Sequence, residues 1–119
     1  MKILLVEDES IMLKTVELKL QREGFEVICC DNGKDALEIL DKLEPDLVIT
    51  DLMLPYSSGI EIIVKVKQKK LQAKIIVLTS LGQEHHVEEA FNLGADDYVT
   101  KPFNLNELVF RMNRLLKFK

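Results

Sequence analysis

The 119-residue chain carries 16 Lys and Arg against 20 Asp and Glu, a formal net charge of −4, with 47% hydrophobic and 30% charged residues. That composition gives one globular domain, residues 1–119, with enough apolar material for a single core; the sequence pI of about 5.2 excludes nucleic-acid binding by this domain itself, which needs clustered Lys and Arg. No apolar run is long enough to span a bilayer, and the run after Lys2 breaks at Glu7-Asp8-Glu9 rather than continuing as a signal peptide, so a cytoplasmic protein without a membrane partner is expected.

Lys2 to Val6 reads as a short apolar strand that stops at Glu7-Asp8-Glu9. Ser10 is placed to cap a helix in which Ile11, Leu13, Val16 and Leu20 fall near helical spacing until Gly24. Phe25 to Cys30 is strand-like, and Asp31-Asn32-Gly33 signals a turn before Ala36, Leu37, Ile39, Leu40 and Leu43 resume helical spacing. Cys29 and Cys30 are neighbours on a strand and point to opposite faces, so they read as reduced packing residues rather than a disulfide.

Leu47-Val48-Ile49-Thr50-Asp51 follows Pro45 and leads to Leu52-Met53-Leu54-Pro55, an apolar run that ends in a single acid. It reads as a strand buried on both faces of a parallel sheet. Asp51 at its carboxyl end is either a nucleophile or metal ligand, or a strand-terminal acid capping the next turn. Tyr56-Ser57-Ser58-Gly59 is loop-like, and Ile60, Ile63, Val64 and Lys67 outline a helix. Ile75 to Leu78 is a second buried strand ending in Thr79-Ser80. A helix from about Glu84 to Leu93, closed by Gly94, has a thin apolar stripe of Val87, Ala90 and Phe91. Tyr98-Val99-Thr100 is a brief strand before Lys101-Pro102, and Leu105, Leu108, Val109, Met112, Leu115 and Leu116 mark the last helix.

Strands and helices thus alternate five times with short connections, the pattern of an α/β fold with a parallel sheet and helices on both faces. Strand ends deliver Glu7 and Asp8, Asp51, Thr79 and Lys101 to one sheet edge. At about 4 Å and an effective dielectric near 20, each pair of like charges there costs on the order of 4 kcal/mol. A Mg²⁺ ion would relieve that repulsion, keep part of its water shell and accept a phosphate oxygen. With Lys101 it would leave a positive, hydroxyl-lined space beside Asp51 for a phosphoryl group. Taken singly, Lys101 reads equally as an ion-pair partner of Asp51, and Thr79 as a strand-end hydroxyl bonded to backbone.

The sequence resembles the receiver domain of two-component response regulators over essentially its whole length. The resemblance rests on Leu4-Leu5-Val6-Glu7-Asp8-Glu9, on Asp51 to Pro55, on Leu78-Thr79-Ser80, and on Gly94 to Phe103. It implies a flavodoxin-like, doubly wound five-stranded parallel sheet of order 2-1-3-4-5, with the site between the first and third strands. It also implies that Asp51 accepts a phosphoryl group from a sensor histidine kinase or a small phosphodonor, and that Mg²⁺ is held by Asp8, Asp51 and the Met53 backbone carbonyl, with Glu7 acting through water. Glu7 stands where many receivers carry Asp. Thr79 and Tyr98 match a switch pair, in which the hydroxyl moves toward the phosphoryl group and the ring turns inward behind it; a half-buried edge-strand aromatic is a compatible reading of Tyr98. Lys101-Pro102 matches a peptide bond that is usually cis.

Gly94 to Phe103, with Glu107 and Arg111, most resembles the branch that carries winged-helix DNA-binding output domains and dimerises through the fourth helix, fifth strand and fifth helix. Asp96, Asp97, Glu107 and Arg111 match residues that form salt bridges across that dimer. Val87, followed by Glu88 and Glu89, stands where a basic residue is usual, so one ion pair is missing. Lys117-Phe118-Lys119 stands where a linker would begin, so the chain reads as a stand-alone receiver or as the amino-terminal domain of a longer regulator. Met53 and Leu81 match positions that tune dephosphorylation; neither hydrogen-bonds strongly to water, so a long-lived aspartyl phosphate is expected. His85 and His86 read as a solvated helix start.

Control of transcription through a downstream domain is therefore the expected function, with no turnover enzyme beyond the chain's own phosphorylation and dephosphorylation. An Asp-nucleophile phosphatase would need a second carboxylate where Met53 stands. A nucleotide- or flavin-binding module would need a phosphate loop where Glu7-Asp8-Glu9 stands. A degenerate receiver serving only as an interaction surface is disfavoured by the presence of every site residue.

Overall fold

A computed structural model describes residues 1–80 and 82–117, so Leu81, Phe118 and Lys119, named above, lie outside the described residues. Five strands alternate with five helices: β1 Lys2–Val6, α1 Ser10–Arg22, β2 Glu26–Cys30, α2 Gly33–Leu40, β3 Leu47–Asp51, α3 Gly59–Gln68, β4 Lys74–Thr79, α4 Glu84–Leu93, β5 Asp97–Thr100 and α5 Leu105–Leu116. The strands form one parallel sheet of order β2-β1-β3-β4-β5, the flavodoxin-like order expected.

The near-continuous apolar runs of the inner strands follow from burial on both faces, because alternate side chains enter different cores. Leu4, Val6, Val48, Ile75 and Val77 pack with Ala36, Leu40, Ile62, Ile63 and Val66 on the side of α2 and α3. Ile3, Leu5, Leu47, Ile49, Ile76 and Leu78 pack with Val16, Leu20, Leu108 and Met112 on the side of α1 and α5. The cysteines obey the same alternation: Cys30 joins the first core, Cys29 packs against the second, and both are free thiols. Burial pushes the Cys29 thiol up to about 12, with Glu17 adding to the effect, and the Cys30 thiol up to about 11.

Three local expectations are corrected. Ser10 is the first helical residue of α1 and not its cap; Glu9 holds that position without a side-chain cap bond, and its backbone N–H donates to Glu7 Oε2 at 3.0 Å. In α2, Asn32 caps by accepting from the Asp35 N–H at 2.9 Å, so Gly33 is already helical. That helix ends at Leu40; Asp41 and Lys42 form a turn, and Leu43 follows it with its N–H donating to the Ile39 carbonyl at 2.9 Å. Among the described residues no helix is long and apolar enough to cross a membrane.

Candidate functional site

The sheet register assembles the site. Val6 is paired with Thr50, Asp51 with Leu78 and Thr79 with Thr100, so the chain emerges from β1, β3, β4 and β5 at one level. Glu7 and Asp8 follow β1, Asp51 and Thr79 close β3 and β4, and Lys101 follows β5. Backbone bonds fix these exits: the Leu52 N–H donates to the Leu78 carbonyl at 3.2 Å, and the Lys101 N–H to the Thr79 carbonyl at 2.6 Å. The Lys101-Pro102 bond is cis, as the resemblance implied. On the far side of Asp51, Gly59 opens α3 with its N–H bonded to the Leu52 carbonyl at 2.9 Å.

Carboxylate oxygens of Glu7, Asp8 and Asp51 lie within 4.8 Å of one another. The Lys101 ammonium donates to Glu7 Oε1 at 2.5 Å and to Asp51 Oδ2 at 2.6 Å, and Asp51 Oδ1 accepts from the Met53 N–H at 3.3 Å. The ion pair of Lys101 with Asp51 is thus present, and it also reaches Glu7. Glu7 is 1% exposed and Asp51 6%, whereas Asp8 faces solvent. Burial raises the Glu7 carboxyl above its usual range; the hydrogen bond from Lys101 opposes this and the Asp51 charge reinforces it. Burial alone would lower the Lys101 amine, but its bonds to Asp51 and Glu7 win and hold it above the ordinary value.

Three acids thus cluster where one ammonium pairs with two of them, and the excess of negative charge in a set of hard oxygen donors suits a divalent cation such as Mg²⁺. Thr79, 3% exposed, adds a hydroxyl at the same edge. An acid at the end of a buried strand, an amine on its carboxylate and an adjoining acidic pair match the residues on which the sequence resemblance rested, and residues 3–113 match the response regulator receiver domain family. The chain belongs to that family. The receiver domain of a Francisella response regulator superposes with a TM-score of 0.89 at 29% identity, over 98% of this chain and 96% of that one. A chemotaxis response regulator of Vibrio cholerae gives 0.87 at 29% identity, over 96% and 97%. DrrB of Thermotoga maritima, described as an OmpR/PhoB homolog, gives 0.87 at 40% identity; the match covers 98% of this receiver domain but only 52% of DrrB. Membership makes this receiver domain a component of phosphorylation-based two-component signalling, in which response regulators are served by histidine kinases.

The remaining sequence-named residues lie outside this acidic cluster. Tyr98 is 41% exposed and meets the ring of Phe91 edge to face. Asp97, Glu107 and Arg111 pair within one chain: Arg111 Nη1 donates to both Asp97 carboxylate oxygens at 3.0 Å, and its Nε lies 3.8 Å from Glu107. Arg114, which the sequence reading passed over, joins Asp97 at 3.4 Å. Asp96 is committed to the start of β4, accepting from the Ile75 N–H at 2.8 Å. Met53 is 56% exposed at the rim of the site. The His85 and His86 ring centroids lie 4.0 Å apart with their planes tilted by 39°. Phe91 was read as part of the inward stripe of α4, yet Ala90 is the buried residue of that helix and Phe91 stays 40% exposed.

Proposed function

We propose that the domain is a phosphorylation-activated switch in which Asp51 accepts a phosphoryl group from the phosphohistidine of a sensor kinase or from a small phosphodonor. An Asp51 oxygen forms the new P–O bond while the bond from phosphorus to the donor nitrogen or acyl oxygen breaks, and the donor leaves with that electron pair. The observation that carries this reading is the pairing of Asp51 with Lys101 at 2.6 Å beside two further acids.

Glu7, Asp8, Asp51 and the Met53 carbonyl are the groups that would hold Mg²⁺, whose charge would offset both the carboxylates and the incoming phosphate oxygens. Lys101, kept cationic by its two acid partners, supplies a fixed positive charge for a phosphoryl oxygen. The Thr79 hydroxyl donates to another, and its movement draws the Tyr98 ring inward, shifting a two-state equilibrium. Met53 offers no strong hydrogen bond to an attacking water, which favours a long-lived aspartyl phosphate.

The output of the switch is control of transcription through a domain following the receiver, a reading supported by the 40% identity to DrrB, a chain about twice as long. A homodimer through α4, β5 and α5 belongs to the same proposal. On that face Phe110 of α5 is 67% exposed, and Asp97, Glu107 and Arg111 would exchange their pairing within the chain for pairing across it.

Incubation with acetyl phosphate and Mg²⁺, followed by intact mass measurement, tests the proposal. One phosphoryl adduct is expected in the parent and none in Asp51→Asn or in excess chelator. An adduct that persists in Asp51→Asn would overturn the assignment. Thr79→Ala is expected to retain the adduct while losing the conformational response.

A further inference from the structure

Along β5, burial alternates so that Asp97 and Val99 face inward while Tyr98 and Thr100 face out. The outward Tyr98 ring stands at 87° to the ring of Phe91 on α4, with centroids 5.8 Å apart. This is the edge-to-face arrangement that aromatic quadrupoles favour. Beneath Tyr98 lies a cavity of about 240 Å³ bounded by Thr79, Ser80, Glu84, Val87 and the tyrosine itself. One ring cannot lie against Phe91 and also fill the space beside Thr79. Phe91 contributes little to anchoring its helix, since Ala90 is the residue that α4 buries.

We propose that Phe91 is a positioning residue that holds Tyr98 in its outward rotamer and so sets the resting balance of the switch. The inference rests on the reading of Asp51, Thr79 and Tyr98 as a phosphorylation switch and adds a residue that biases it. A contact made only in the outward state stabilises that state alone, so phosphorylation must work against it. Loss of the Phe91 ring shifts the balance inward by about two- to tenfold, the range such aromatic pairs supply.

The test compares parent, Phe91→Ala and Phe91→Tyr for the rate of adduct formation with acetyl phosphate and Mg²⁺, in both the Tyr98 and the Tyr98→Ala backgrounds. The chain has two tyrosines and no Trp, so in a Tyr56→Phe background the intrinsic fluorescence reports Tyr98 alone. Phe91→Ala is expected to accelerate labelling about two- to tenfold and to change the Tyr98 emission before any donor is added. Phe91→Tyr, which keeps the ring, is expected to stay near the parental rate, and Phe91→Ala is expected to have no further effect once Tyr98 is Ala. Equal rates in parent and Phe91→Ala, the same acceleration in the Tyr98→Ala background, or an effect that scales with protein concentration as a subunit contact would, each overturns the inference. Absence of any adduct in the parent would instead overturn the phosphoacceptor reading beneath it.

Discussion

Gly59 lies so close beneath Asp51 that a Cβ built on it collides with the Asp51 carbonyl oxygen and crowds the Leu52 Cα. The first turn of α3 is therefore seated directly against the end of β3, and Asp51 is held from below by backbone rather than by a flexible side chain. Gly59→Ala must push that strand end away. It is expected to cost about 1–3 kcal/mol in urea unfolding, as overpacking does, and to slow labelling of Asp51 by acetyl phosphate. Unchanged stability and labelling would show that the strand end yields freely.

The loop between β3 and α3 holds strain at Tyr56, whose φ is 71° while the Ser57 N–H reaches back to the Pro55 carbonyl at 2.9 Å. That is a γ-turn with a left-handed central residue, a conformation that costs a side-chain-bearing residue roughly 1–2 kcal/mol. Tyr56 is 85% exposed, so burial of its ring supplies no compensation. Glycine is ordinarily less stable than alanine by about 0.4–1 kcal/mol because its unfolded chain is freer. At this position the order is expected to reverse, with Tyr56→Gly more stable than Tyr56→Ala in urea titrations. Ala matching or exceeding Gly would mean that the turn relaxes at no cost.

Much of the site was legible because buried parallel strands read as apolar runs, and the residue that interrupts each run marks the sheet edge. Asp51, Thr79 and the Glu7-Asp8 pair were found that way. Ser10 misled because Glu7 already holds the Glu9 N–H, which fixes the chain's entry into α1 one residue before the serine. Leu43 continued the helical spacing, but α2 stops at Leu40, where the Asp41 and Lys42 N–H groups donate to the Glu38 and Ile39 carbonyls three residues back and close the helix in a tight turn. The partnership of Asp97 with Arg111 and Arg114 joins the edge strand to the last helix, and no local period encodes such a pair. The exposure of Phe91 follows from the way α4 packs against α3 and β4 with Ala90 as its buried residue, which the alternation of elements does not reveal.

The two thiols give a pH-dependent prediction with a definite sign. Burial lifts Cys29 to about 12 and Cys30 to about 11 from an ordinary 9.0, so both remain protonated in the native protein at pH 8. Only the thiolate reacts readily with iodoacetamide. Labelling at pH 8 is expected to be slow in buffer and to speed up sharply in guanidinium. Because the native state retains these protons longer than the unfolded chain, the thiols' contribution to stability falls as pH rises from about 9 toward 12. Rapid native labelling at either cysteine would contradict the burial that produces the shift.

Lys101 is the countercharge for a buried acid as well as for the phosphoacceptor, and replacing it separates those roles. In Lys101→Met, measured without divalent cation, Glu7 and Asp51 lose the ammonium bound to both. Breaking one side of a buried pair costs about 3 kcal/mol or more. In the parent, Lys101 is raised above 10.5, so its contribution is fully present at pH 8 and is lost only as pH rises through that elevated value. Glu7 is raised above 4.5 by burial even with Lys101 opposing the rise, and without the lysine it rises further. The variant therefore binds a proton in the native state over a wider range, and its stability falls as pH climbs from about 4.5 through the new Glu7 value. Urea titrations of parent and Lys101→Met are expected to differ most at pH 8 and to converge toward pH 5, with added Mg²⁺ restoring part of the loss at pH 8. A deficit independent of pH would mean that the lysine stabilises the fold through its aliphatic stem and not through the charge it places between Glu7 and Asp51.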